Sequence, residues 1–131
     1  MTNSINSVEI DAVLERATFN SDGLLPAIIQ QWDTRDVLML GYMDAEALRR
    51  TLTEGRVTFW SRSRKEYWRK GDTSGNVQYV RGASFDCDAD TLLVTVEQIG
   101  AACHTGAHAC FDVDPLAPVI GRSDSEGAPG E

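Results

Sequence analysis

Five short runs suited to β-strands, and the order in which they come, constrain this chain more than any other feature of its sequence. The runs are Leu24–Trp32, Val37–Met43, Arg56–Ser61, Val77–Asp86 and Thr91–Ile99. Each has strand length, and turn signals such as Asn20-Ser21-Asp22-Gly23 and Asp33-Thr34-Arg35-Asp36 separate them. The first two runs read as a hairpin, with Pro26 near the start of the first, where a missing N–H is tolerated. Two helical patterns stand out. Val8–Ala17 carries Val8, Ala12, Val13, Leu14 and Ala17 at apolar positions, and Ala45–Glu54 has Asp44 as N-cap and Gly55 as its stop. Gly100–Cys110 reads as irregular or partly helical. No strand–helix–strand unit repeats, so the expected class is α+β, mainly β: about five strands in a mixed, folded sheet with one to three short helices. Ser63–Asn76 is polar and basic with two glycines and reads as a long loop, a feature that in compact domains usually serves function.

The 131 residues allow one domain, expected over 1–114, followed by an acidic Pro/Gly-rich tail over 115–131 that is expected to be disordered at its end. The formal net charge is -8, which disfavours broad binding of a nucleic-acid polymer and leaves room for a local basic pocket. Half of that charge falls from Asp112 onward, where Asp112, Asp114, Asp124, Glu126 and Glu131 face only Arg122. No apolar run approaches the roughly 20 residues that span a bilayer, so no membrane partner is expected. The first residues carry no basic, apolar export pattern, and the expected location is the cytoplasm. The three cysteines are an odd number and do not close into internal disulfides, which leaves free thiols, metal ligands or groups acting between chains.

The densest chemistry is Asp86-Cys87-Asp88-Ala89-Asp90. In an extended strand Asp86, Asp88 and Asp90 share one face and Cys87 and Ala89 the other. Carboxylates so close repel one another unless a cation sits among them, and such oxygen donors suit Mg²⁺ or Ca²⁺; a solvated acidic turn is the rival reading. The sixth loop position is Thr91 instead of the glycine an EF-hand needs. Cys103-His104-Thr105-Gly106-Ala107-His108-Ala109-Cys110 holds the other two cysteines and both histidines. In a continuous helix its two sulfurs stand about 10 Å apart along the axis, too far to share an ion, so chelation requires the segment to fold back, most simply at Gly106. Cys87, Cys103 and Cys110 make a three-thiolate zinc set with one position open to water, the catalytic arrangement. The alternatives are buried cysteines acting as small hydrophobes, or a Cys103–Cys110 disulfide.

Arg62, Arg64, Lys65, Arg69 and Lys70 concentrate five of the twelve basic residues in nine positions, interleaved with Trp60, Tyr67 and Trp68. Arginine forks, a lysine and the hydroxyls of Thr73 and Ser74 are what phosphate oxygens need, and an aromatic such as Trp60 stacks on a base. Against an acidic background this loop reads as a local anion site; a solvated loop with Trp60 and Trp68 packed under it is the rival reading.

Six segments in order then make the chain resemble the phosphoribosyl-AMP cyclohydrolases of histidine biosynthesis. They are Asp22-Gly23-Leu24 with Pro26-Ala27-Ile28, Leu38-Met39-Leu40-Gly41-Tyr42-Met43, Trp60-Ser61-Arg62-Ser63-Arg64, Trp68-Arg69-Lys70-Gly71 with Thr73-Ser74-Gly75, Asp86–Asp90, and Cys103-His104-Thr105-Gly106 ending at Cys110-Phe111. The resemblance implies hydrolytic opening of the adenine ring at the N1–C6 bond, the third step of that pathway, by a cyclic-amidine hydrolase. It implies an intertwined homodimer with one Zn²⁺ and one Mg²⁺ per subunit. Zinc is then held by Cys103 and Cys110 of one chain and Cys87 of the other, and magnesium by Asp86, Asp88 and Asp90. His104 is the implied acid/base, and Arg62, Arg64, Lys70, Thr73, Ser74 and Trp60 are the expected contacts to a phosphorylated nucleotide. Relatives usually carry basic residues and a serine just before the last cysteine, where this chain has Ala107-His108-Ala109. A zinc-stabilised module without activity, or another zinc nucleotide hydrolase such as a deaminase, are the competing classes. The H-x-E and P-C-x-x-C signature of the deaminases is absent.

Overall fold

The computed structural model describes residues 5–118, so the expected disorder of the last residues lies outside the described part. Helix α1 covers Ser7–Arg16. Its start is a capping box: the Asn6 side chain accepts from the Glu9 N–H at 2.8 Å, and Glu9 accepts from the Asn6 N–H at 3.0 Å. Together these satisfy two of the donors that a helix start leaves open. Strands β1 (Leu25–Gln31) and β2 (Val37–Met43) form the expected antiparallel hairpin. Helix α2 (Ala45–Glu54) begins at Asp44, whose carboxylate accepts from the Ala47 N–H at 2.8 Å, and ends at Gly55, where φ is 74°. A left-handed C-cap of this kind favours glycine because there is no Cβ to clash.

Strands β3 (Thr58–Ser61) and β4 (Glu66–Arg69) pair antiparallel as a small separate sheet. This corrects the single loop expected over 63–76. Glu66-Tyr67-Trp68-Arg69 is charged at both ends and largely exposed, so it shows no one-sided apolar alternation; its strand state comes from pairing with β3. Strands β5 (Gln78–Phe85) and β6 (Leu92–Gln98) complete a four-stranded sheet in the order β2-β1-β6-β5. Its β1–β6 pair is parallel and the others are antiparallel, so the sheet is mixed as expected, with six strands in all among the described residues.

The core lies between the four-stranded sheet, α2 and β3. Leu25, Ala27 and Ile29 alternate inward on β1, and Val94 and Val96 on β6, with Leu38, Met43, Leu48, Val57 and Phe59 closing over them. One polar tie runs through this layer: the buried Thr51 hydroxyl accepts from the Thr58 N–H at 3.0 Å and donates to its carbonyl at 3.2 Å. It completes the backbone bonding of β3, where an open donor would be costly. The Phe59 ring lies directly on the backbone of Gly41, where a Cβ would stand 2.4 Å from it. Glycine at that point brings β2 and β3 close enough to exclude water between them. No helix among the described residues is long and apolar enough to cross a membrane.

Candidate metal and active site

The turn between β5 and β6 brings three carboxylates together. Strand β5 stops at Phe85, so the alternation expected to align Asp86, Asp88 and Asp90 on one strand face does not occur. The chain instead folds into a tight turn, with Ala89 at φ 60° and the Ala89 N–H donating to the Asp86 carbonyl at 3.1 Å. The Asp86 carboxylate accepts from the N–H groups of Asp90 and Thr91 at 3.1 and 3.3 Å. Behind the turn, Thr18 donates through its N–H to the Ala89 carbonyl at 2.7 Å and through its hydroxyl to that of Asp88 at 3.2 Å. One oxygen from each of the three aspartates falls within 4.8 Å of the others, and all three residues are exposed. Their titration is shared. Burial pushes the Asp86 carboxyl up, but hydrogen bonds within the turn outweigh it and bring the pKa below the ordinary value. The Asp90 carboxyl is raised by hydrogen bonding to Asp88 and Asp86. The opposite shifts reflect the crowding of like groups in one turn. The donor set is hard oxygen, which fits Mg²⁺ or Ca²⁺.

The second cluster folds back at the expected glycine. The Ala102 N–H donates to the His108 carbonyl at 3.0 Å and the Cys103 N–H to that of Ala107 at 3.2 Å, closing a tight hairpin with Gly106 at φ 93°. A short 3-10 turn over Cys110–Asp112 then brings Cys110 back against Cys103. All three cysteines are free thiols. The Thr105 hydroxyl donates to the Cys103 sulfur at 3.0 Å, and this bond is the main reason the Cys103 thiol lies below its usual pKa. The Cys110 thiol is raised, first by burial and then by its neighbour Cys103. Soft sulfur donors of this kind fit zinc. Cys87 does not join them: it is exposed in the aspartate turn, and among the described residues only the aspartates gather three ligand atoms in one place.

His104 is exposed at the tip of the hairpin, next to Cys103. His108 points elsewhere, its Nε2 standing 3.3 Å from Asp36 at the β1–β2 turn. Of the expected substrate contacts, Arg62 and Arg64 are exposed in the β3–β4 turn, with the Arg62 guanidinium 4.0 Å over the Tyr42 ring and Arg64 3.9 Å from Glu66. Trp60 is half-buried, edge-on to Tyr67 at 4.9 Å. Thr73 and Ser74 are exposed in the turn after β4, where Ser74 accepts from the Asn76 N–H at 3.1 Å. The length of β4, roughly 13 Å, separates that turn from the two arginines. Lys70 departs most from expectation. It is no exposed loop cation but is buried at 6% exposure, with its ammonium donating to the Ala102 carbonyl at 2.6 Å.

Two functional contacts had only faint sequence signals. Thr105 is a hydroxyl two residues beyond a cysteine in a Gly-containing turn. Tyr67 lies in the unrecognised strand, and its hydroxyl donates to the Asp44 carboxylate at 2.7 Å. Burial, with help from that bond, pushes the Tyr67 phenol up to about 12.

Comparison with known proteins agrees with this geometry. The family model for phosphoribosyl-AMP cyclohydrolase matches residues 39–112. A phosphoribosyl-AMP cyclohydrolase of Leifsonia xyli subsp. xyli is 69% identical over 121 residues, covering 92% of this chain and 97% of the relative. Its counterpart from Clavibacter michiganensis subsp. michiganensis is 72% identical over 113 residues, 86% of either chain. That of Bifidobacterium longum (strain DJO10A) is 63% identical over 123 residues, 92% of this chain and 94% of the relative. The match spans the aspartate turn, the cysteine hairpin and the strands that carry them, so the chain belongs to the phosphoribosyl-AMP cyclohydrolase family, hydrolases that act on a cyclic amidine.

Proposed function

We propose that the chain opens the adenine ring of phosphoribosyl-AMP by hydrolysis of the N1–C6 bond, the third step of histidine biosynthesis, and that it needs zinc and magnesium to do so. The observation that carries this reading is the cysteine hairpin, which pairs two thiols while the third cysteine stays exposed on a different turn. Such an arrangement is incomplete in one chain and becomes a three-thiolate set when a second copy supplies Cys87. Apolar side chains left exposed near the pair, Leu40 on β2 with Phe111 and Val113 after Cys110, support a homodimer that covers them.

Cys103 and Cys110 with the partner copy's equivalent of Cys87 would hold zinc, and Asp86, Asp88 and Asp90 would hold magnesium. Zinc, when bound, makes water available as a nucleophile at neutral pH. The other functions belong to the chain's own side chains. A phosphoribosyl group on N1 makes C6 electrophilic, and His104, exposed beside Cys103, is positioned to pass the proton that N1 needs as its bond to C6 breaks. Arg62 and Arg64 bind phosphate as exposed forks at one end of the β3–β4 hairpin, and Thr73 and Ser74 donate hydroxyls at the other. Their separation suits a ligand with phosphates at two ends. Trp60 offers an aromatic edge between them.

The test is an absorbance assay of phosphoribosyl-AMP ring opening, run before and after zinc is removed by a chelator and again after it is restored. Turnover that disappears with zinc and returns with it is the expected result. Full turnover by protein shown to be free of zinc would overturn the metal part of the reading, and no turnover in any state would overturn the activity.

A further inference from the structure

Lys70 is a buried ammonium with too few partners. The residue is 6% exposed, yet among the described residues only one of its three donors forms a hydrogen bond, to the Ala102 carbonyl at 2.6 Å. The Trp68 ring flanks it, with its centroid 5.6 Å from the Nζ. No carboxylate among the described residues forms an ion pair with it, and the thiol groups of Cys110 and Cys103 lie near enough to favour its charged form. Burying a cation in this way is costly unless an anion shares the site. The carbonyl it holds belongs to the residue before Cys103 and lies at the base of the cysteine hairpin, whose first rung is the Ala102 N–H bond to His108.

We propose that Lys70 is a positioning residue of the cysteine pair. Its ammonium clamps the hairpin through Ala102 and sets a fixed positive charge against the thiolates that form when Cys103 and Cys110 take a metal ion. This rests on the zinc reading above and deepens it. It removes Lys70 from the phosphate contacts and gives it a structural and electrostatic task under the metal. Metal binding converts neutral thiols into thiolates, so a neighbouring fixed cation favours the bound state. A three-thiolate zinc set carries a net negative charge, and Lys70 is placed to offset it.

Zinc affinity, measured by competition with a chromophoric chelator at neutral pH, separates the possibilities when run on three variants beside the native chain. Lys70→Gln keeps a donor for the Ala102 carbonyl without the charge, Lys70→Met removes both, and Lys70→Arg keeps the charge. Affinity is expected to fall at least about tenfold in the first two, a bound well below the roughly thousandfold that a unit charge 4 Å away is worth at an effective dielectric near 20, and to stay close to native in the third. Thermal unfolding of the metal-free proteins shows which variants fold; if Lys70→Met does not, Lys70→Gln decides. A folded Lys70→Gln that binds zinc as tightly as the native chain overturns the proposal. So does a folded Lys70→Gln with native zinc affinity and only a raised KM, the result for a phosphate contact. A native chain that binds no zinc overturns the zinc reading instead, a result distinct from any difference between variants.

Discussion

The aspartate turn and the cysteine hairpin are both tight turns that gather like groups, but one brings three ligand groups together within the chain and the other brings two. In the turn, five consecutive residues and their own N–H groups bring three carboxylates within 4.8 Å, and Thr18 ties it down from behind. The hairpin gathers two sulfurs, leans on a buried lysine from β4's end, and leaves Cys87 exposed on the aspartate turn itself. The two clusters are therefore coupled by sequence: Cys87 sits between Asp86 and Asp88, so the turn that gathers the carboxylates also exposes the sulfur that the proposed zinc set needs. The difference teaches that hard-oxygen sites can be made by local chain geometry alone, because carboxylates bind at a range of distances and angles. A thiolate set with fixed tetrahedral demands calls on groups far apart in sequence.

The predictions probe that contrast. Removing a sulfur is expected to do the most damage: Cys103→Ser should lower turnover on the order of a thousandfold or more and release zinc, measured as metal per chain. Substantial activity with no zinc would mean that the hairpin is only a structural turn. Next is His104→Ala, expected to cut kcat about a hundredfold while zinc stays bound, since it removes proton transfer and leaves the ligands alone. Loss of zinc in that variant would make His104 a ligand. Asp88→Asn takes one charge from the aspartate set and should weaken activation by Mg²⁺ by about tenfold to a hundredfold, read from a magnesium titration of the rate. An unchanged titration would show that the carboxylates hold no functional cation. Mixing the inactive Cys87→Ala and Cys103→Ala chains tests the sharing directly. Random pairing in a two-fold dimer leaves one intact site in half of the dimers, so about a quarter of native activity should return. No recovery argues that the three sulfurs do not meet across two chains.

The smallest expected effect concerns the scaffold. Tyr67, donating to Asp44, titrates at about 12 in the folded chain against an ordinary 10.0. A raised folded pKa means that the neutral phenol is favoured in the folded state. Its contribution is thus fully present below about pH 10 and is lost as pH rises through 12. Tyr67→Phe should cost about 1 kcal/mol near neutral pH and flatten the decline in stability over that alkaline window, measured by chemical unfolding. A decline equally steep in the variant would assign it to other groups.

Much of this organisation was legible in the residues. Strands with inward-facing Leu25, Ala27 and Ile29 or Val94 and Val96 declare themselves by alternation, because one face is buried and the other is not. Helix α2 is bounded by Asp44 and Gly55, whose side-chain chemistry acts within a few residues. Strand β4 was not legible, since its state depends on β3 across the turn and its own side chains are mostly exposed. The aspartates were found by pattern, but a strand was the wrong frame: three carboxylates spaced along a strand would stand farther apart than the turn holds them. The burial of Lys70 is not legible in the sequence for a similar reason. Among five neighbouring basic residues nothing marks the one that is buried, because its burial is decided by Ala102 and Trp68.

The sequence alone therefore determined what acts locally: the element types with strong periodicity and caps, the donor chemistry of the two clusters, the fold-back at Gly106, and a family likeness carried by six ordered segments. Only the tertiary structure decided which of these groups meet. The bond to the Ala102 carbonyl holds Lys70 buried beneath the cysteine hairpin while Arg62 and Arg64 stay exposed, and the end of β5 turns a row of aspartates into a cluster. The physical reason is range. Propensity, capping and donor type are properties of a residue and its neighbours in the chain, whereas burial, charge pairing and convergence of ligands depend on residues brought together from distant positions.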